Sequence, residues 1–381
     1  MARRVVRLQG SIQSLCFRGQ PAALATYDLS DFDINKAYPA CKLRLDNSAE
    51  IALSKWTGPK RTRTYPLAKV YDTYSHCGKV VTVIPILKDE GVGERKNDTN
   101  LDRINFVTFS WMNLMGVYII LAWYSDATRK DDYRITNQKF DNDYVREKIR
   151  EIAYYKMDAH HWNQEHFTHK FVEVYEKALL SYESIEKRLG VKLHSRDKLC
   201  EFLNRVRSDT DNRILDLKRF AVASLPKSEQ AALREVSVEH RLEQVDAATA
   251  KGFFEICNNL GGIYYLTADE IIFESERSLI IQESKNSVKK TFPSLNDIKD
   301  GLFKLLLFSQ LKELKLDGTS VHYRVQLKLS GAFRGRLELP TTQAAIEAFA
   351  ASLGSATVKK LNWLNEELKL LGIAGVLEGN L

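Results

Sequence analysis

The chain has 381 residues, of which 44% are hydrophobic and 28% charged, and a formal net charge of +7. That length exceeds one ordinary domain, and the composition excludes disordered, collagenous and disulfide-scaffold chains. The mildly basic balance suits a polyanionic partner without proving one. Cys16, Cys41, Cys77, Cys200 and Cys257 are scattered and form no C-x-x-C pair, which predicts a reduced, cytoplasmic protein without a zinc motif. The start, MARRVVRLQGS, lacks an apolar signal core, and the longest apolar run, Leu114–Tyr124, is too short to span a bilayer, so no membrane partner is expected.

Residues 1–75 read as irregular and β-leaning. Between Glu50 and Asp72 there is no acid, and the run from Lys55 to Pro66 mixes basic and aromatic residues around a Gly58–Pro59 turn. Lys55, Lys60, Arg61 and Arg63 are candidate nucleic-acid contacts there, tracking phosphates while neighbouring rings stack on bases; a plain solvated turn fits the same residues. Arg3, Arg4 and Arg7 add positive charge.

Lys79–Leu87 predicts a strand. Leu101–Met115 predicts a helix with Ile104, Val107, Trp111 and Leu114 on one face, ended by Gly116. Val117–Tyr124 predicts a second strand. Together they form a crossover of the kind that builds parallel sheet. Lys88–Asp89–Glu90–Gly91 closes the first strand, where α/β sheets bind ligands, and reads as a loop start in preference to a binding edge or a second acidic site.

Residues 138–245 read as mostly helical. Phe171, Val174, Ala178, Leu179, Tyr182, Ile185 and Leu189 keep helical spacing, and Gly190 is a C-terminal stop. His160, His161, His166 and His169 cluster just before that helix. With no cysteine and no H-E-x-x-H spacing beside them, they read as packing or surface histidines rather than zinc ligands. Arg196, Lys198, Arg205, Arg207, Arg213, Lys218 and Arg219 lie in a stretch rich in both signs, by default a solvated helical face, with a nucleic-acid clamp as the sharper alternative. Leu225–Pro226–Lys227–Ser228 predicts a break that starts another helix.

The chemistry concentrates between Gly261 and Phe308. Glu270–Ser275 and Leu279–Lys285 are β-rich runs separated by Glu276, Arg277 and Ser278, which predicts a hairpin. Leu279–Ile280–Ile281 is apolar throughout, as in a strand buried on both faces, and then switches to Gln282–Glu283–Ser284–Lys285. Alternation places Glu283 and Lys285 on one face. A turn centred between Glu276 and Arg277 sets Glu270 opposite Glu283 and Asp269 beside Ser284. Carboxylates held so close need a proton, the lysine or a divalent cation between them. A helix follows, with Pro293–Ser294 as its start and Leu295, Ile298, Leu302, Leu305 and Ser309 at helical spacing.

An Asp opening one strand, a hairpin, and Glu-x-Lys closing the next resembles the PD-(D/E)XK nuclease superfamily, the fold of many restriction endonucleases. The resemblance covers residues 247 to 340. It takes in a helix over Ala247–Asn259, the amphipathic helix after the hairpin, and a strand over Val321–Leu329. Thr267–Ala268 stand where the family carries a proline before its Asp, and Glu270 beside Asp269 is a second candidate for the first acid. The resemblance implies Asp269 and Glu283 as metal ligands, with the Ser284 carbonyl as a third. It implies Lys285 as the group that orients or deprotonates the attacking water, and Glu255 as an outer or second-metal ligand. The cofactor implied is Mg2+, with Mn2+ as its substitute.

Beyond the hairpin, Thr319–Gly335 carries His322, Arg324, Lys328 and Arg334, with no acid between Asp317 and Glu338. Lys289, Lys290, Arg324 and Lys328 are assigned to phosphate contacts that hold the scissile backbone, although a charge-defended edge strand looks the same. Residues 341–370 return to helix, with Ile346, Phe349, Leu353, Val358, Leu361, Leu364 and Leu368 as apolar stripes.

The expected fold is α/β in the mixed α+β sense. A restriction-endonuclease-like core, with a central mixed sheet flanked by helices, spans 246–340. An N-terminal α/β module spans 1–135, a helical region 136–245, and C-terminal helices 341–381. The expected function is Mg2+-dependent hydrolysis of double-stranded DNA in restriction or anti-phage defence. The expected partners are a second copy of the chain and either a cognate methyltransferase or other defence-system proteins. The alternatives are a catalytically inactive nucleic-acid-binding scaffold of the same fold, and an RNase.

Overall fold

The structure, a computed structural model, describes residues 5–379 except 14, 16, 18, 46–48, 59–66, 75–77, 95–100, 238–248, 260, 289 and 352. The chain divides into two compact units, one formed by Met1–Ala22 with Glu229–Leu381 and the other by Ala23–Ser228. The divisions expected at 135, 245 and 340 do not coincide with these units.

Strand β1 (Val5–Ile12) belongs to the first unit. The chain then builds the second. It begins with β2 (Ala25–Asp28), β3 (Ala40–Arg44), β4 (Glu50–Lys55), α1 (Leu67–Tyr74), β5 (Lys79–Pro85), β6 (Leu87–Asp89) and β7 (Leu101–Arg103). It continues with α2 (Phe106–Leu114), β8 (Tyr118–Ala122), β9 (Tyr124–Asp131), β10 (Arg134–Phe140), α3 (Asn142–Tyr154), α4 (Ala159–Leu189), α5 (Arg196–Val206) and α6 (Leu217–Ser237). Five strands form one sheet in the order β2-β3-β4-β5-β8, with β5 parallel to both β4 and β8, as the crossover through α2 predicts. Helix α6 continues through Pro226, so the break expected there does not form. Lys88 and Asp89 belong to strand β6, paired with β7, so the loop expected to start at Lys88 begins only at Glu90. Asp89 is buried and accepts backbone N–H groups of Gly91 at 2.8 Å and His194 at 2.9 Å.

The histidine cluster lies inside α4 rather than before it, because Asp158 caps the helix by accepting the His161 N–H at 2.8 Å. At the other end Gly190 takes the left-handed conformation (φ 60°) that a side chain would resist. The α4 face that carries Trp162, Asn163 and His166 closes one edge of the sheet. Strand β8 is an edge strand, and open edges expose unpaired N–H and C=O groups. Asn163 accepts the Ile119 N–H at 2.7 Å and donates to the Val117 carbonyl at 2.9 Å; Trp162 donates to the Ile119 carbonyl at 2.8 Å. His166 Nε2 accepts the Leu121 N–H at 3.1 Å. That bond requires a neutral imidazole, and complete burial pushes the His166 pKa down to about 3.

The first unit resumes within α6, at Glu229, and continues with β11 (Thr249–Asn258), β12 (Ile263–Ser275), β13 (Ser278–Asn286), α7 (Leu295–Ser309), β14 (Lys312–Leu316), β15 (Thr319–Ser320), β16 (His322–Gly331) and β17 (Arg336–Leu339). It ends with α8 (Gln343–Ala350), α9 (Ser355–Leu371) and β18 (Ala374–Gly379). Its nine-stranded sheet runs β15-β14-β1-β11-β12-β13-β16-β18-β17. The centre is an antiparallel meander, β11-β12-β13. From β13 the chain crosses over through α7 to β16, which pairs parallel to β13. The molecule is thus mixed α/β, with a large mixed sheet flanked by helices.

The segment Ala247–Asn259, expected as a helix, is strand β11 in its described part. The reason lies in Phe253, Phe254 and Ile256, which favour strand, in Gly252, which disfavours a helix interior, and in burial on both faces. Phe254 packs on Phe308 of α7 with ring centroids 4.5 Å apart. On the other face Phe253 and Tyr265 pack against Ala232 and Leu233 of α6.

The His166 geometry yields a pH prediction. The folded state excludes a proton that the unfolded chain binds below pH 6.5, so this contribution to stability is complete above 6.5 and is lost as pH falls towards 3. Between pH 7 and pH 4 the wild type should lose about 3 kcal/mol relative to His166→Gln, whose amide oxygen can accept the same N–H. Urea unfolding of both proteins at the two pH values measures this; equal losses would contradict it.

Candidate active site

The site grows out of two irregularities in β12. The turn is where the sequence places it, with Ser275 opposite Ser278. Between Phe273 and Ser275 the ladder then slips by one residue, so Glu270 pairs with Gln282 rather than with Glu283. On the other edge of β12, Ala250 of β11 pairs with Ile271 but Gly252 pairs with Ala268. Two residues, Asp269 and Glu270, therefore oppose Lys251 alone. This is a β-bulge, which bends the strand and re-aims a side chain.

The bulge decides which acid takes part. Tyr264, Leu266 and Ala268 share the face that packs towards Phe254 and α7, since Leu266 is the register partner of Phe254 and Ala268 that of Gly252. Strict alternation would send Asp269 to the opposite face. The extra residue reverses the alternation, so Asp269 joins Glu283 on the α7 side, while Glu270 turns away and bonds Gln282. Asp269 Oδ2 accepts the Ser284 N–H at 2.9 Å, which ties the acid to the backbone of β13 between Glu283 and Lys285.

Glu283 is the floor of the cluster, with a side chain only 1% exposed. Lys304 of α7 reaches both of its oxygens, at 3.0 and 3.2 Å, and Lys285 reaches one of them at 3.0 Å. Lys285 also bonds Asp300 of α7 at 3.1 Å. Burial pushes the Glu283 pKa up to about 7; the two ammonium groups oppose the rise, and the neighbouring Asp269 adds to it. The Lys285 pKa also rises: burial disfavours its charge, but Glu283 and Asp300 outweigh that and hold its pKa above the ordinary lysine value. Three carboxylates thus face two ammonium groups across the β13–α7 interface.

Helix α7 is placed for this by its own sequence. Ser294 caps it by accepting the Asp297 N–H at 3.2 Å. Gly301 allows close approach: a Cβ there would sit 3.2 Å from Lys285 Cε and 3.1 Å from a Leu327 methyl. Asp300 and Lys304 are four residues apart and so share the face that meets β13.

Glu255 is not part of this cluster. It sits on β11 beside Gln9 and Tyr265, on the opposite face of the sheet, in a groove also lined by Arg7, Glu229 and Lys315. The basic residues of β16 are likewise turned away. Arg324 and Lys328 are the register partners of Ile280 and Ser284, not of Glu283, and strand alternation puts them on the far face. There Arg324 pairs with Glu274 at 2.7 Å and Lys328 with Glu378 at 2.7 Å. Lys55 ends β4 with its ammonium donating to the Ile34 carbonyl at 2.6 Å, partly buried, rather than projecting towards a phosphate. Lys290 is exposed. Lys60, Arg61, Arg63 and Lys289 lie outside the described residues.

Sequence reading missed Asp300 and Lys304, because polar residues on an amphipathic helix are ordinarily read as its solvent face. A signal was present: Lys304 stands inside Leu302–Phe303–Lys304–Leu305–Leu306–Leu307, a run too apolar to be exposed, and a lysine buried there requires a carboxylate.

The hard oxygens at this site are the carboxylates of Asp269 and Glu283; Ser284 meets Asp269 through its backbone N–H. Carboxylate oxygens are donors of the kind Mg2+ takes alongside the waters it retains. The pair is not a self-sufficient cage, since no group of three His, Cys, Asp or Glu side chains among the described residues could hold a metal alone. Among the described residues, no helix is long and apolar enough to cross a membrane.

Breaking the buried contact should be costly. Lys304→Met leaves Glu283 buried with one ammonium partner fewer and should destabilise the protein by about 3 kcal/mol. Adding Glu283→Gln should recover much of that loss, and chemical denaturation of the single and double variants measures the coupling; strictly additive losses would rule the interaction out as a stabilising unit.

No family model matches the chain, no curated protein matches its sequence, and no solved structure matches its fold.

Proposed function

We propose that the Asp269–Glu283–Lys285 cluster is the active site of a Mg2+-dependent endonuclease that hydrolyses DNA phosphodiester bonds. The observation that carries this reading is the bulge at Asp269–Glu270. It costs β12 a regular ladder, and its effect is to add a second carboxylate to the face that already holds Glu283 and Lys285. A purely structural ion pair between Glu283 and Lys304 needs no such addition, because like charges brought together raise the cost of burial.

In this reading Asp269 and Glu283 hold the metal, with the Ser284 carbonyl as a third donor. When bound, Mg2+ polarises the phosphate and lowers the pKa of a coordinated water. Lys285 is partly exposed at the edge of the cluster, where its ammonium can orient the attacking water and balance the charge that develops at phosphorus. Asp300 positions Lys285 by accepting a hydrogen bond from its Nζ. Glu270, bonded to Gln282 on the far face, takes no part. Because Arg324 and Lys328 are paired with acids on that far face, phosphate contacts near the site fall to Lys285 and to exposed residues beyond β13 such as Lys290.

DNA as the substrate, a restriction or anti-phage role, and a homodimer that cuts both strands extend this proposal through the resemblance of Asp269, Glu283 and Lys285 to the PD-(D/E)XK pattern. The basic net charge is compatible with that substrate.

Asp269→Ala and Lys285→Ala should each lower Mg2+-dependent cleavage of plasmid or phage DNA by roughly a hundredfold or more, with salt-sensitive DNA binding retained. Glu270→Ala should cleave at close to the wild-type rate. An assay with Mg2+ and with EDTA, on duplex DNA and single-stranded RNA, decides the matter. Full activity in either of the first two variants removes the site assignment, cleavage of RNA alone changes the substrate, and binding without any cleavage favours the scaffold reading.

A further inference from the structure

We propose that Lys304 is a resident occupant of the cation position on Glu283, and that it sets how tightly the site takes up a divalent metal. This rests on the nuclease reading of the same cluster and adds to it a residue outside the Asp, Glu-x-Lys pattern.

Lys304 Nζ lies 3.0 and 3.2 Å from the two Glu283 oxygens, a straddling arrangement that occupies both acceptors of the carboxylate at once. Lys285 touches only one of those oxygens and divides its donors with Asp300. Lys304 is also the more enclosed of the two lysines, with a side chain 9% exposed against 18% for Lys285. It stands on a helix whose neighbouring residues Leu302, Phe303, Leu305 and Leu306 are buried and whose Gly301 seats it close against β13 and β16. The ammonium is therefore built into the site rather than laid over it.

A divalent ion coordinated by Asp269 and Glu283 would have to share Glu283 with that ammonium or displace it from at least one oxygen. Positive charges a few ångströms apart in a partly dry site repel strongly. Lys304 thereby weakens metal binding in the free protein while holding the buried carboxylate in alignment. A bound phosphodiester brings negative charge to the same place and relieves the repulsion, so metal uptake is favoured when nucleic acid is present.

The test is calorimetric titration of Mn2+ into the full chain without nucleic acid. Lys304→Gln retains a donor to Glu283 but removes the charge, and should bind Mn2+ roughly tenfold more tightly than wild type. Lys304→Met should change in the same direction. Lys304→Arg, which keeps the charge, should not gain. The gain should vanish in Lys304→Gln combined with Glu283→Gln. Thermal unfolding verifies that each variant is folded. Unchanged or weaker Mn2+ binding by folded Lys304→Gln overturns the proposal. DNA cleavage by the wild-type preparation separates the role of Lys304 from the nuclease reading. Tighter metal binding by the variant with no cleavage by wild type keeps the role of Lys304 and removes the nuclease reading. Cleavage by wild type with no change in metal affinity does the reverse.

Discussion

A carboxylate withdrawn from water constrains the centre of the larger sheet. Glu283 is buried, and an ion of that size placed in a protein interior loses hydration that only close, well-directed partners can offset. The surrounding features follow from that requirement. Lys304 must enter an otherwise apolar face of α7, Gly301 must bring that face near β13, and Lys285 must bend back towards its neighbour two residues before it. Each of these is unfavourable by itself: a glycine inside a helix costs about 1 kcal/mol relative to alanine, and a buried ammonium costs more. Such a set persists because its members compensate one another.

The bulge in β12 shows how backbone geometry selects chemistry. Asp269 and Glu270 are adjacent acids with similar side chains, yet they meet opposite faces of one sheet. Asp269 is fixed by the Ser284 N–H on the side of Glu283, whereas Glu270 enters a polar ladder through Gln282 and Gln326 on the other. One extra residue between the ladder contacts of β11 and β13 produces this division. The unit formed by Ala23–Ser228 uses side chains in a complementary way. There Trp162, Asn163 and His166 bond the outer edge of β8, so that polar groups placed on a helix complete a sheet that has no further strand among the described residues.

Much of the architecture is legible in the chain. Pro293–Ser294 and the spacing of Ile298, Leu302 and Leu305 mark α7, Glu276–Arg277 marks the hairpin, and Gly190 marks the end of α4. These are signals written in local stereochemistry. What escapes is set by pairing between distant segments. The register error at Glu270 arises because a hairpin turn fixes register only if the ladder beyond it is regular, and the slip at Phe273 has no compositional mark. Residues 249–258 lie between β1 on one side and β12 on the other, partners distant in sequence that draw them into the sheet. Glu255, Arg324 and Lys328 group with the site by nearness in sequence, whereas a one-residue step along a strand exchanges faces. Lys304 and Asp300 escape for the converse reason: their chemistry is visible only when α7 is laid on β13.

The most direct test of the proposed metal site is an anomalous-difference map from crystals of the wild-type protein soaked in Mn2+. The predicted result is a peak coordinated by Asp269 and Glu283, with the Lys304 ammonium moved from at least one Glu283 oxygen. A map with no manganese at these carboxylates at a saturating concentration, and the Lys304–Glu283 contacts intact, would contradict it.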